Sequence, residues 1–115
     1  MDANLEQLLY KAKAWRDADR DSVTRAELDQ RIAAADQLSD ESGVQPADHP
    51  IAHLRACFES PLTFGTAGLR GLKGPGPAHM NHLLIQRVTA VIADVLRAEV
   101  PDAATRGVFI GYDAR

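Results

Sequence analysis

The chain of 115 residues contains a single cysteine, Cys57. A lone thiol excludes an internal disulfide framework and a multi-cysteine zinc site. No apolar run approaches the roughly 18 residues that a membrane span needs, so no membrane is expected as a partner. The N-terminus, Met1-Asp2-Ala3-Asn4-Leu5-Glu6, lacks the basic stretch and apolar core of a signal peptide. Positive charge is in deficit as well. Thirteen Lys and Arg against sixteen Asp and Glu leave a formal charge of −3, with no basic cluster. That balance argues against nucleic acid as a partner. Internal repeats and low-complexity tracts are also missing. The class that remains is one soluble, cytoplasmic domain at most. Hydrophobic residues at 45% and charged residues at 25% suffice for a core.

Glycine is nearly missing from residues 1–58, which read as helices. The first is expected over Leu5 to Asp19, where Leu5, Leu8, Leu9, Ala12 and Trp15 recur at helical spacing. The second is expected to open at Thr24-Arg25-Ala26-Glu27, which has the spacing of a capping box. Val23 and Leu28 would form the accompanying hydrophobic staple, and Leu28, Ile32 and Ala35 the inner face. Residues 39–47 read as a solvated loop. A short third helix is expected over His49 to Phe58, with Pro50 in its first turn and Ile51, Leu54 and Phe58 on one side. Leu62-Thr63-Phe64 reads as a short extended segment. Most of the eight glycines then fall between Gly65 and Gly76. Asn81 is placed to cap a fourth helix running to about Glu99, with Leu84, Val88, Val91, Ile92 and Val95 as its stripe and Pro101 beyond its end. Val108-Phe109-Ile110 reads as a strand buried on both faces. Helices followed by strand, glycine loop, helix and strand predict an α/β fold.

Several motif-like stretches fail on inspection. Asp17-Ala18-Asp19-Arg20-Asp21 starts like a calcium loop, but Ser22 and Leu28 occupy the positions that need Gly and the bidentate Glu. Gly74-Pro75-Gly76 is followed by His79 where a dinucleotide fingerprint needs Gly, and Lys73 belongs to no Walker loop. The spaced pairs His49/His53 and His79/His82 lack carboxylate or thiol companions and read as surface histidines. Cys57 and Trp15 read as packing residues.

Phe64-Gly65-Thr66-Ala67-Gly68-Leu69-Arg70-Gly71 is different. Gly65, Gly68 and Gly71 permit close approach of backbone to ligand. Successive amides in such a loop can form a concave anion site. Thr66 adds a hydroxyl donor, and Arg70 adds a planar fork that matches phosphate. The chemistry is that of a small phosphate cradle. The bland alternative is a tight turn with Arg70 paired to a carboxylate.

This stretch resembles the signature of the α-D-phosphohexomutases, the phosphoglucomutase and phosphomannomutase superfamily. Gly74-Pro75-Gly76-Pro77-Ala78-His79-Met80-Asn81 is similar to the glycine-rich stretch ending in Met-Asn that follows it in one branch, with His79 standing where Arg is common. Gly111-Tyr112-Asp113-Ala114-Arg115 resembles the family's Gly-Tyr-Asp-x-Arg strand end. Trp15, the Thr24 box and the helices up to Phe58 match that branch's N-terminal extension.

The resemblance implies a helical extension over residues 1–58 and, over 59–115, the beginning of an α/β first domain with a mixed sheet sandwiched by helices. It implies interconversion of hexose 1-phosphate and 6-phosphate through a phosphoserine, with a hexose 1,6-bisphosphate intermediate and Mg2+ held by aspartates. Arg70 would contact phosphate, with Thr66, Gly65, Gly68 and Gly71 shaping the wall and Asp113 and Arg115 supporting from a strand end. The family's Thr-Ala-Ser-His-Asn-Pro nucleophile loop and its Asp-x-Asp-x-Asp metal loop have no counterpart in these residues. The chain is therefore expected to be a fragment, inactive alone, that works with the remaining mutase domains on a phosphosugar. A phosphopentomutase of the same family and a stand-alone phosphate-binding module are the competing expectations.

Overall fold

The computed structural model describes residues 3–37 and 49–114. In chain order it contains α1 (Ala3–Ala18), α2 (Ser22–Asp36), α3 (Pro50–Ala56), β1 (Phe64–Gly65), β2 (Gly68–Leu69), α4 (His82–Glu99) and α5 (Ala103–Arg106). It is a mixed α/β chain, mostly helical, with one two-stranded sheet. The expected loop at 39–47 lies outside the described residues. The chain divides into two compact units, Met1–Ile85 and Gln86–Arg115, with α4 beginning in the first and continuing through the second.

The first unit is built on α1, α2 and α3. The stripe expected on α1 is buried: Leu5, Leu8, Leu9, Ala12 and Trp15 all face inward. They meet Leu28, Ile32 and Ala35 of α2 and Ile51 and Leu54 of α3. Periodicity at 3.6 residues is enough to set these faces, because each helix has only one side that water rejects. Leu28 and Leu54 are fully buried at the centre. The Trp15 ring meets Phe58 edge to face, with centroids 6.4 Å apart and planes at 89°, a favoured aromatic geometry. In α3, His49 is the N-cap. Its Nδ1 accepts from the Ile51 amide at 3.2 Å, and Pro50 follows at the first helical position.

The start of α2 differs from its sequence reading. Asp21, not Thr24, is the N-cap, and its carboxylate accepts from the Val23 amide at 3.1 Å. The Thr24 hydroxyl instead donates to Asp19 Oδ2 at 2.6 Å, while Asp19 Oδ1 accepts from the Asp21 amide at 2.9 Å. Asp19 is 1% exposed. A carboxylate so enclosed has to be satisfied by donors, and the nearest hydroxyl serves it rather than the helix end. The helix therefore starts before Thr24. Val23 is exposed and forms no staple over Leu28. Of the calcium-like aspartates, Asp17 lies in the last turn of α1, and Asp19 and Asp21 fall in the link between α1 and α2.

In the second unit, Val91, Ile92 and Val95 of α4 are exposed. A short α5, which the sequence did not announce, follows Pro101. Val108, Phe109 and Ile110 were expected as a doubly buried strand. They have no regular secondary structure and pair with no strand among the described residues, and Phe109 is 95% exposed. Strand assignment needs ladder partners, and the apolar run by itself supplies none.

Three substitutions test this packing. Leu28→Ala should lower unfolding free energy by about 2–5 kcal/mol. Thr24→Val should cost about 1–3 kcal/mol by removing a donor from a buried carboxylate. Val23→Ala, at an exposed site, should stay within about 0.5 kcal/mol. Urea titrations of the three variants against the parent chain provide the comparison. Equal losses at Val23 and Thr24 would restore the capping-box reading.

Candidate phosphate-binding hairpin

Residues 64–69 form a tight antiparallel hairpin rather than an open loop. Phe64 pairs with Leu69 and Gly65 with Gly68. Thr66 and Ala67 make the turn. No residue other than glycine has positive φ among the described residues, so the turn's left-handed requirement falls on Gly68, at φ 107°. A side chain at that position would be strained. The stretch read as a cradle of successive amides is thereby a tight turn at a hairpin tip.

The hairpin stands on the segment that follows it. The Leu62 amide donates to Pro77 O at 3.0 Å on the way in. On the way out, Met80 N donates to Leu72 O at 2.7 Å and Gly74 N to Met80 O at 3.2 Å, with Lys73 and Met80 forming a parallel bridge. The segment is in turn seated on the end of α3, where Ala78 N donates to Cys57 O at 3.0 Å. Gly76, at φ 84°, passes so close that a Cβ would collide with the Cys57 carbonyl and lie 2.9 Å from Cys57 Cβ. Burial raises the pKa of the Cys57 thiol, which points to His53 O at 3.5 Å. It is a packing residue in a protonated state, as its sequence context implied.

The expected site residues are distributed as follows. Thr66 is exposed at the hairpin tip and Gly65 and Gly68 pair across it. Arg70 follows β2 directly. Its side chain is in solvent, and among the described residues it has no ion-pair or hydrogen-bond partner. The Arg70–carboxylate pair of the bland alternative is not formed among the described residues. Gly71 lies under Leu62, whose Cδ1 is 2.6 Å from where a Cβ would be. Asp113 is exposed in the second unit, and Arg115 lies outside the described residues. His79, at the position that departs from the resembled pattern, is turned inward. Its Nδ1 lies 2.8 Å from Pro75 O. A carbonyl only accepts, so Nδ1 carries the proton.

A hydroxyl, the amides of a tight turn and an unpaired guanidinium on one short hairpin can together hold an oxyanion, with Arg70 supplying the charge. A cavity of about 460 Å³ elsewhere in the first unit is lined by Asp21, Glu27, Lys73 and His82 among others. Its two carboxylates offset its lysine, so it has no comparable preference for an anion. Among the described residues no three His, Cys, Asp or Glu side chains could hold a metal ion. The described residues therefore offer no ligand set for the magnesium that the resemblance implies. No helix among the described residues is long and apolar enough to cross a membrane.

Comparison with known proteins agrees with the motif order. Residues 61–115 match the family model described as phosphoglucomutase/phosphomannomutase, alpha/beta/alpha domain I. The human phosphopentomutase is 32% identical over 114 residues, covering 99% of this chain and 16% of its own length. A probable phosphoribomutase of Schizosaccharomyces pombe is 35% identical over 115 residues, covering 100% of this chain and 17% of that protein. A phosphoglucomutase of Staphylococcus saprophyticus is 42% identical over 60 residues, 52% of this chain and 10% of the relative. The chain thus spans about one sixth of the length of the curated relatives that match it throughout. No solved structure matches it significantly. With the domain I match over residues 61–115 and mutase relatives aligned along the whole chain, the protein belongs to the phosphoglucomutase/phosphomannomutase superfamily, of which it carries a part of domain I.

Proposed function

We propose that this chain is the phosphate-contacting segment of a phosphosugar mutase. In this reading Arg70 binds a phosphate oxygen pair through its guanidinium fork, and the Thr66 hydroxyl and the turn amides donate hydrogen bonds to the same oxyanion. The observation that carries the reading is Arg70 itself. An exposed guanidinium without a carboxylate partner among the described residues, at the base of a hairpin two residues per strand long, is available for an external anion. Arg70 acts by electrostatic stabilisation and orientation of the phosphoryl group, which is where most of the catalysis in phosphoryl transfer resides. Asp113 and Arg115 complete this reading as supporting residues. The nucleophile, the magnesium ligands and the sugar-specific contacts belong to other domains of the mutase, which acts in the cytoplasm.

The sugar is proposed at two levels. The motif order and the domain I match favour an aldose 1-phosphate as substrate, with hexose 1-phosphate and 6-phosphate interconverted through a hexose 1,6-bisphosphate. A pentose phosphate is favoured by a separate observation. The relatives aligned over 99% and 100% of this chain, helices α1–α3 included, are a phosphopentomutase and a probable phosphoribomutase. The phosphoglucomutase match covers 52%. Comparing kcat/KM for ribose 1-phosphate and glucose 1-phosphate in a complete mutase carrying this chain separates the two. A preference for the pentose would fix the second reading.

The purified 115-residue chain should not convert mannose 1-phosphate to mannose 6-phosphate. A coupled assay showing turnover would overturn the assignment of the nucleophile to another domain. In the complete mutase, Arg70→Ala should lose on the order of 10²–10³ in kcat/KM, the scale of one electrostatic stabiliser. Unchanged kinetics would take Arg70 out of the site.

A further inference from the structure

Asn81 was expected to cap α4, and it does: its Oδ1 accepts from the Leu84 amide at 2.9 Å. The other end of the same side chain does more. Its Nδ2 lies 2.7 Å from Gly76 O, 2.9 Å from Gly74 O and 3.1 Å from His79 O. Two amide protons are shared among three carbonyls, and the residue is only 7% exposed. These carbonyls come from one turn, and that turn holds both ends of the hairpin. Pro77 O takes the Leu62 amide that leads in. Met80 exchanges bonds with Leu72 and Gly74 on the way out. Leu62 also lies over Gly71, the neighbour of Arg70. Arg70 therefore projects from a hairpin whose base is clamped by a turn. Asn81 reaches three of the turn's carbonyls, alongside the His79 ring on Pro75 O and the His79 N–H on Gly76 O.

We propose that Asn81 is a positioning residue for Arg70, acting through the carbonyls of Gly74, Gly76 and His79 rather than through any contact with ligand. The inference rests on the phosphate reading of the hairpin. It also separates two roles of one side chain. Asp matches Asn as an N-cap, because it keeps the oxygen that receives the Leu84 amide. It has no donor, and would aim a carboxylate oxygen at three carbonyl oxygens. A residue that only caps would tolerate Asn81→Asp. A residue that closes the turn would not.

The test uses the full 115-residue chain, labelled with nitrogen-15 and titrated with inorganic phosphate. Parent, Asn81→Asp and Asn81→Ser are compared by amide exchange and by shifts at Gly68–Gly71 and at Arg70 Nε. In Asn81→Asp the Leu84 amide and the α1–α3 signals should keep the parent's protection. The amides of Leu62, Gly74 and Met80 should exchange at least about tenfold faster, and phosphate affinity should fall about tenfold or more. Asn81→Ser keeps an acceptor and one donor, and should recover part of both losses. Parent-like exchange at 62, 74 and 80 together with parent-like affinity in Asn81→Asp would overturn the inference. If that variant loses its α1–α3 signals, Asn81→Ser decides: full parental protection and affinity overturn the inference, and intermediate values support it. A parent chain that shows no response to phosphate would overturn the phosphate reading and, with it, the role assigned to Asn81, while slower exchange at 62, 74 and 80 in the parent than in Asn81→Asp would still establish the clamp.

Discussion

Three backbone carbonyls in the turn over residues 74–79 converge on the Asn81 amide, and Gly76 O also receives the His79 backbone N–H at 3.3 Å. Carbonyls withdrawn from water are costly to leave short of donors, so this side chain contributes to holding the turn. The same side chain starts α4 by receiving the Leu84 amide. A glycine-rich segment with little apolar surface to bury is thus joined to a helix by polar satisfaction. Gly76 makes this possible from the other side, because only a residue without Cβ can pass against the Cys57 carbonyl. The hairpin bearing Thr66 and Arg70 inherits its placement from this arrangement, through Leu62, Leu72 and Gly74.

The helical part is held by a different kind of interaction. Apolar faces of α1, α2 and α3 close over Leu28 and Leu54, and Cys57 at the end of α3 carries this packing to the turn. The hairpin therefore rests on a hydrophobic base. This division suits a phosphate-binding element. A rigid base limits the freedom that Arg70 would have to lose on binding, while the guanidinium stays in water where an anion can reach it.

The helices were legible because their signal is local. A stripe at Leu5, Leu8, Leu9, Ala12 and Trp15 has one way to be buried in a helix, and it is buried so. The N-cap of α2 was misread because two local devices competed. Thr24 has the spacing of a capping box, yet Asp19 is buried five residues earlier and takes the hydroxyl. Burial of Asp19 is a tertiary fact with no trace in the motif. The apolar run at Val108–Ile110 was misread for the related reason that a strand's burial is decided by its neighbours.

Residue types and spacing by themselves determined the three helical faces, the cap at Asn81 and the family signature from Phe64 to Gly71, and they single out Arg70 as the group proposed to bind an anion. Each of these follows from chemistry within a few residues of the chain. Tertiary structure alone decided that Gly65–Gly68 is a hairpin tip, that Arg70 has no carboxylate partner among the described residues, and that His79 turns inward to Pro75. It alone brought Gly74, Gly76 and His79 around the Asn81 amide. The reason is physical. Which donor meets which acceptor depends on which groups are removed from water together, and that is settled only when the helices have packed.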